Sequence, residues 1–103
     1  MNNCSDIQKK TLIIVPAYNA AKSIENVIDE ILVTGFYNIV VGDDCSIDGT
    51  AEIIKKKYPK VKVIQQSKNL GYGGNQKSLY NYAIDSGFDF IVMIHGDLQY
   101  TPR

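Results

Sequence analysis

Several features that would assign a protein class at once are missing from this sequence. Its 103 residues carry 11 acidic and 11 basic side chains, so no excess of one charge favours nucleic acid or an anionic membrane as a partner. No apolar run approaches the roughly 20 residues that span a bilayer. The first ten residues, MNNCSDIQKK, are polar and lack the apolar core of a signal peptide. We therefore expect a cytoplasmic protein of one small domain with no nucleic acid partner.

Cysteine is scarce as well. Cys4 and Cys45 are the two cysteines, and they do not form the spacing of a metal or redox motif. Free thiols in a reduced compartment are the expectation, and a disulfide between the two cysteines is the alternative.

The rest of the sequence alternates between short apolar segments and amphipathic ones. Four segments are apolar and β-branched, which is typical of buried parallel strands: residues 11–15, 39–41, 61–64 and 90–94. Three segments between them repeat apolar residues at helical spacing: residues 24–32, 51–58 and 79–83.

This βαβαβαβ order predicts the fold class. Strands that alternate with helices form a mainly parallel sheet covered on both sides, joined by right-handed crossovers. We therefore expect an α/β protein with a Rossmann-like, three-layer α/β/α arrangement. Residues 1–10 are predicted to be a loose polar lead-in, and residues 11–103 to form the domain.

Residues with chemistry to offer follow the first two predicted strands, and ligands of open parallel sheets bind beyond the carboxyl ends of the strands. Tyr18 offers a flat face for a base and a hydroxyl for a sugar or phosphate, or it packs on the sheet edge. Asp43 and Asp44 are neighbours on an extended backbone, so they point to opposite sides. One carboxylate is expected to face the cleft, where it can accept the imino N–H of uracil or guanine. The alternative is that both cap the following turn.

A glycine-rich loop, residues 69–74, is predicted to lead into the third helix. It has neither the GxGxxG fingerprint directly after a strand nor a P-loop lysine pattern, but glycines before a helix let the backbone approach a phosphate. Lys77, one turn into that helix, could add a positive charge for a diphosphate. A flexible loop with a solvated lysine is the competing interpretation.

The last predicted strand opens into a polar segment. Asp97 and Gln99 alternate along it, so both can face one side, and their oxygens suit Mg²⁺ or Mn²⁺. His95 is the single histidine. It is a candidate metal ligand, a candidate hydrogen-bond donor to a diphosphate, or a plain strand-end residue, since imidazole is a poor ligand for a hard cation.

These motifs together resemble the N-terminal, nucleotide-sugar-binding part of family 2 glycosyltransferases with the GT-A fold. The dolichol- or polyprenol-phosphate mannosyltransferase-like branch is the most similar. IIVPAYNA resembles the family's first strand and turn, and VVGDDCSIDGT resembles its VVDDGSxDGT, with Cys45 in place of a glycine. The segment that starts at Asn69 resembles its glycine-rich loop and helix, and IHGDLQYTP resembles its metal-binding DADLQxxP.

The resemblance implies an enzyme that binds a UDP- or GDP-sugar with Mg²⁺ or Mn²⁺ and transfers the sugar to a polyprenyl phosphate or a saccharide. By the same resemblance, Pro16, Tyr18 and Asp44 would line the base and ribose, with Asp43 in support.

The remaining site residues are implied in the same way. Lys77 stands where the family often has a basic residue near the diphosphate, and Gly96 and Asp97 would contact the nucleotide-sugar. Asp97 and Gln99 would be the metal ligands, with His95 as a further candidate.

One departure from the family pattern matters for function. His95 stands where the family has the first acid of its DxD motif, which weakens the metal site or changes its affinity. This departure favours an alternative, a non-catalytic nucleotide-sugar-binding module of the same fold. A signalling receiver domain is less well supported, because its phospho-acceptor and lysine should follow later strands, whereas the acid pair follows the second strand here.

The resemblance also implies that this chain carries only part of the family's catalytic domain. No general base can be named, because the family's acceptor-binding region and catalytic base lie downstream of these motifs. We expect the chain to be a truncated, donor-binding half, weakly active or inactive alone, whose longer parent works at the cytoplasmic face of a membrane. An exposed edge strand would invite pairing between copies, so a homo-oligomer is expected.

Overall fold

The computed structural model describes residues 3–96, with side chains from Ile7 onward. The predicted metal ligands Asp97 and Gln99 lie outside the described residues. The helices are α1 (Asn3–Lys10), α2 (Ile24–Val33), α3 (Thr50–Lys57) and α4 (Gly71–Ser86). The strands are β1 (Thr11–Ala17), β2 (Ile39–Asp43), β3 (Lys62–Gln65) and β4 (Phe90–Met93). Over residues 3–96, no helix combines the length and apolar character needed to cross a membrane.

The four strands form one parallel sheet in the order β3-β2-β1-β4. Every residue of β1 and β2 is buried, because these central strands are covered on both faces. The chain winds from β1 outward to β3 and then crosses back, through α4, to β4 on the other side of β1. The direction of winding thus reverses between β1 and β4, and the carboxyl ends of the strands border a crevice at that point.

Alternate residues of β1 belong to two separate cores. Ile13 and Val15 pack with the apolar faces of α2 and α3. Leu12 and Ile14 pack with Leu79 and other residues of α4 on the opposite face. The sheet therefore lies between two helical layers, and the predicted α/β/α arrangement with a parallel sheet is confirmed.

The N-terminal segment differs from the expected loose lead-in, because residues 3–10 form helix α1. Contacts with the following chain hold the end of this helix. The Thr11 hydroxyl donates to the carbonyl of Ile7 at 2.7 Å, and the side-chain amide of Asn38 donates to the carbonyl of Lys9 at 3.3 Å. Lys9 and Lys10 occupy its last turn, where positive charge suits the helix dipole.

The glycine-rich segment also differs from its prediction as a loop. Helix α4 begins at Gly71, so Gly73 and Gly74 lie in its first turn rather than before it. Two hydrogen bonds fix this start, one from the backbone N–H of Leu70 to Asp44 at 2.6 Å and one from Gly71 to the Asn69 side chain at 2.8 Å.

Candidate functional site

A cleft of about 350 Å³ opens at the carboxyl ends of the strands, within the range of small-ligand sites. It lies where the winding of the sheet reverses, which is the position at which open α/β sheets bind their ligands. The ends of β1, β2 and β4 and the start of α4 supply its lining: Pro16, Ala17, Tyr18, Asp44, Asn69, Gly71, Tyr72, Asn75 and His95.

Asp44 is the acid that lines the cleft. Its residue is only 4% exposed, and its carboxylate Oδ1 accepts the backbone N–H of Leu70 at 2.6 Å. No described residue donates a hydrogen bond to the other carboxylate oxygen. A nearly buried carboxylate whose second oxygen has no partner among residues 3–96 is a ready acceptor for an N–H of a ligand.

Asp43 holds the loop behind the cleft instead. The residue is 1% exposed and its carboxylate accepts a hydrogen bond from the Ser46 hydroxyl. Burial raises the pKa of the Asp43 carboxyl, and the hydrogen bonds from Ser46 oppose this shift without cancelling it. The Ser46 hydroxyl in turn accepts the backbone N–H of Asn19 at 2.8 Å, so Asp43 helps to join the loops that follow β1 and β2.

Further hydrogen bonds clamp these two loops together. Asn19 has a φ of 49°, a left-handed conformation that asparagine tolerates. Its side-chain oxygen accepts the N–H of Ile47 at 3.0 Å. The buried hydroxyl of Thr50 accepts the N–H of Ala20 at 3.0 Å. These hydrogen bonds therefore link the loops that carry Tyr18 and Asp44 into one unit in the absence of a ligand.

Asn75, on α4, also lines the cleft, and its hydrogen bonds hold α4 against β2. This residue was not among the predicted site residues. The residue is 2% exposed. Its amide nitrogen donates to the carbonyl of Gly42 at 2.8 Å, and its oxygen accepts from the Gln66 amide at 3.2 Å. A single asparagine beside a glycine-rich stretch gives no sequence signal of such a role.

Tyr72 and His95 meet across the cleft mouth, and Tyr72 was likewise not predicted. Their rings stack with centroids 5.5 Å apart and planes inclined by 22°. The Tyr72 hydroxyl lies 3.3 Å from Nε2 of His95. The pair connects the start of α4 to the end of β4.

Two residues predicted to contact the nucleotide-sugar, Lys77 and Gly96, do not line the cleft. Lys77 lies in the second turn of α4 with an exposed side chain, and it is not among the residues that line the cleft. Gly96 is buried: its N–H donates to the carbonyl of Pro16 and its carbonyl accepts from the Ser23 hydroxyl, both at 3.0 Å. A Cβ there would lie 3.0 Å from that of Ala17, so Gly96 allows the end of β4 to approach β1.

The described residues contain no group of three or more histidine, cysteine, aspartate or glutamate side chains that could hold a metal. The thiol of Cys45 is free.

Comparison with known proteins decides the family. A family model described as Glycosyl transferase family 2 matches residues 12–103. The chain belongs to this family. It is 30% identical to the UDP-N-acetylglucosamine–dolichyl-phosphate N-acetylglucosaminyltransferase of Methanococcus voltae, over 91% of this chain and 43% of that protein. It is 31% identical to the undecaprenyl-phosphate 4-deoxy-4-formamido-L-arabinose transferase of Yersinia enterocolitica, over 92% of this chain and 31% of that protein.

Solved structures agree with this family 2 assignment. S. aureus TarS 1-349 in complex with UDP superposes with a TM-score of 0.69 and 31% identity, over 85% of this chain and 27% of that one. The expected GT-A fold and the resemblance to polyprenol-phosphate sugar transferases are therefore confirmed. This chain spans less than half the length of each of these relatives.

Proposed function

We propose that this family 2 chain is the donor-binding part of a glycosyltransferase, which binds a nucleotide-diphosphate sugar in the cleft and transfers the sugar to a polyprenyl phosphate. The proposal is carried by the Asp44 carboxylate oxygen that accepts no hydrogen bond from the described part of the chain. This oxygen is an acceptor built into a cleft at the reversal point of the sheet, and dinucleotide and nucleotide ligands bind at such points. The printed names of the relatives, which include dolichyl- and undecaprenyl-phosphate transferases, support this acceptor class.

The base would sit against Asp44, with Pro16 and Tyr18 beside it. Uracil offers a single imino N–H, which matches the single carboxylate oxygen that Leu70 leaves free. Guanine offers two neighbouring N–H donors and would use both oxygens, so one of its donors would share Oδ1 with the N–H of Leu70. A UDP-sugar is therefore the favoured donor and a GDP-sugar the alternative. A UDP complex of TarS and a UDP-sugar enzyme among the relatives support this preference.

The diphosphate would extend toward the start of α4. The N–H groups of Leu70 and Gly71 are already bonded to the side chains of Asp44 and Asn69. The N-cap residue Leu70 makes no side-chain cap hydrogen bond, so the N–H groups that follow Gly71 in the first turn are the ones offered to an anion. Lys77 lies outside the cleft lining, and its predicted role near the diphosphate needs a side chain that reaches back along the helix.

The metal proposal rests on two residues in the segment after Gly96. Asp97 and Gln99 provide oxygen donors, which fit Mg²⁺ or Mn²⁺. Such an ion, when bound, would neutralise charge on the diphosphate as the bond to the sugar breaks. The described residues add His95 at the cleft but no acidic cluster of their own.

A non-catalytic nucleotide-sugar-binding module is the second candidate. It is favoured by His95, a cleft residue in the place of the family's first DxD acid. Both candidates bind the donor, so binding does not distinguish them. Turnover by the full-length protein would show that it is an enzyme and not a binding module.

The direct test is calorimetric titration of this chain with UDP and with GDP, each with and without Mn²⁺. We expect UDP to bind more tightly than GDP, and Mn²⁺ to strengthen binding in the wild type but not in Asp97→Ala. Binding that ignores Mn²⁺ would remove the metal proposal and keep the nucleotide site. No binding of either nucleotide would refute the donor-site proposal for this chain.

A further inference from the structure

The contact between Tyr72 and His95 joins two segments that the sequence did not predict to meet. Both side chains are exposed, yet they stack with a centroid distance of 5.5 Å. The Tyr72 hydroxyl and His95 Nε2, 3.3 Å apart, form a hydrogen bond. Both residues line the same cleft, so the pair faces whatever ligand enters.

This hydrogen bond favours one tautomer of the neutral imidazole. A phenol O–H is a stronger hydrogen-bond donor than a neutral imidazole N–H, and an imidazole nitrogen is a stronger acceptor than a phenol oxygen. On this chemistry we assign the Tyr72 O–H as the donor and Nε2 as the acceptor. The partner of one ring nitrogen fixes the proton on the other, so the neutral ring carries its proton on Nδ1.

This proton position decides whether His95 can bind a metal ion or donate a hydrogen bond. Its Nε2 is occupied by Tyr72 and its Nδ1 bears a proton, so the neutral ring has no free nitrogen for a metal ion. It has instead one N–H to offer at a cleft that the first residues of α4, Gly71 and Tyr72, also line.

We propose that His95 donates its Nδ1–H to a phosphate oxygen of the nucleotide diphosphate, and that Tyr72 is the positioning residue that holds His95 in this state. The proposal rests on the donor-binding function proposed above. In place of an acid, the chain would use a neutral hydrogen-bond donor, which adds no negative charge beside the diphosphate.

The tautomer can be read directly, because His95 is the single histidine. Long-range ¹H–¹⁵N spectra in mildly alkaline buffer would show one set of imidazole signals. We expect the Nδ1–H pattern in the wild type and a shift toward the Nε2–H form, which an unconstrained imidazole favours, in Tyr72→Phe. Tyr80→Phe, on α4 and outside the cleft lining, is the matched control and should keep the wild-type pattern. An Nε2–H pattern in the wild type, or no change in Tyr72→Phe, would overturn the positioning role.

Binding tests the second half of the proposal with UDP and uridine as probes. His95→Phe keeps a ring to stack on Tyr72 but removes the N–H. We expect about a tenfold loss of UDP affinity with uridine affinity unchanged. Tyr72→Phe should lower UDP affinity too, and the double variant should lose no more than His95→Phe alone, because the hydroxyl acts through the imidazole.

The outcomes separate the two proposals. If uridine and UDP both bind and His95→Phe binds UDP like the wild type, the diphosphate contact is wrong and the donor site stands. If an equal loss of uridine affinity appears, His95 contacts the nucleoside and the diphosphate assignment is wrong. If neither probe binds the wild type, the donor-site proposal fails and the diphosphate contact fails with it, while the spectra still decide whether Tyr72 sets the tautomer.

Discussion

At the scale of the residue, two adjacent acids have separate tasks. Asp44 lines the cleft, and one of its carboxylate oxygens accepts the backbone N–H of Leu70. Asp43, its neighbour, is turned away and bonds Ser46 in the loop. Because side chains on an extended backbone alternate in direction, one position can bind a ligand while the next holds the structure that positions it.

Replacing Asp44 with asparagine tests the ligand-facing oxygen. Asparagine keeps an oxygen for the N–H of Leu70 but turns an amide NH₂ toward the imino N–H of uracil, so two donors would face each other. We expect UDP affinity to fall by roughly 10- to 100-fold, as for a lost hydrogen bond to a charged group, with little change in the free energy of unfolding. Calorimetry and urea denaturation measure the two quantities.

The matched control is Asp85→Asn, which removes the same charge from an exposed position of α4. Its UDP affinity should equal that of the wild type. Equal affinities in Asp44→Asn and the wild type would show that Asp44 is not the base contact.

The raised pKa of the Asp43 carboxyl predicts that the free energy of unfolding depends on pH. Burial raises the pKa of its carboxyl above the ordinary value of 3.8, so the folded state favours the protonated form. The stability that this group contributes is fully present below 3.8 and is lost as pH rises through the raised pKa. The free energy of unfolding of the wild type minus that of Asp43→Asn should therefore decrease between acidic and neutral pH. Urea denaturation over this range measures the difference, and a difference that rises with pH would contradict the assigned direction.

The sequence predicted part of this site, and the reasons for its limits are physical. The opposite directions of the two acids follow from strand geometry alone. Cys45 has a left-handed φ of 65°, a conformation that glycine adopts without strain, which fits the glycine of the resembling motif VVDDGSxDGT. Asn75 and Tyr72 were missed, because their roles depend on contacts with Gly42 and His95, which are distant in sequence and meet only in the fold.

At the scale of the element, α4 shows why a local pattern can mislead. Glycine is a poor helix former, so a segment with three glycines was predicted to be a loop. The chain begins the helix at Gly71 because the carboxylate of Asp44, 26 positions earlier, accepts the N–H of Leu70. Such a tertiary contact overrides local propensity and has no signal in the segment itself.

The packing of α4 on the sheet predicts a stability effect at Gly42. A Cβ at this position would lie 2.8 Å from the side-chain oxygen of Asn75 and 2.8 Å from Cγ of Leu79. Gly42→Ala should therefore lower the free energy of unfolding by about 1–3 kcal/mol, as overpacking does. Chemical denaturation measures the change.

Gly73→Ala is the control for this change. A Cβ at Gly73, within α4, would meet no atom within 4 Å, and alanine is the better helix former by about 0.5–1 kcal/mol. This variant should be as stable as the wild type or more stable. If Gly42→Ala behaves like Gly73→Ala, α4 does not pack as closely on β2 as the structure indicates.

At the scale of the whole molecule, the layer order could be predicted because each crossover follows a fixed handedness. The alternation of strands and helices was enough to give a parallel sheet with helices on both faces. The helical form of residues 3–10 was not predicted, because a short polar segment carries no apolar periodicity and is held by contacts with Asn38 and Thr11.

Self-association through an edge strand stays a prediction. In the part of the chain that the structure describes, β4 pairs with β1 on one side only, and Phe90 and Val92 are 53% and 42% exposed. Pairing of two such edges would give a dimer. Sedimentation of the wild type should show a concentration-dependent dimer that Val92→Lys weakens, and a monomer at all concentrations would argue against it.

The central claim is that the cleft at the carboxyl ends of the strands binds a nucleotide diphosphate. Amide chemical-shift mapping of this chain with UDP tests it most directly. The account predicts that the largest changes fall on Asp44, Leu70 and Tyr72. A second groove, between α2 and β4 and lined by Ile31 and Val92 among others, should stay unchanged. Changes confined to that groove, or none at saturating UDP, would contradict the account.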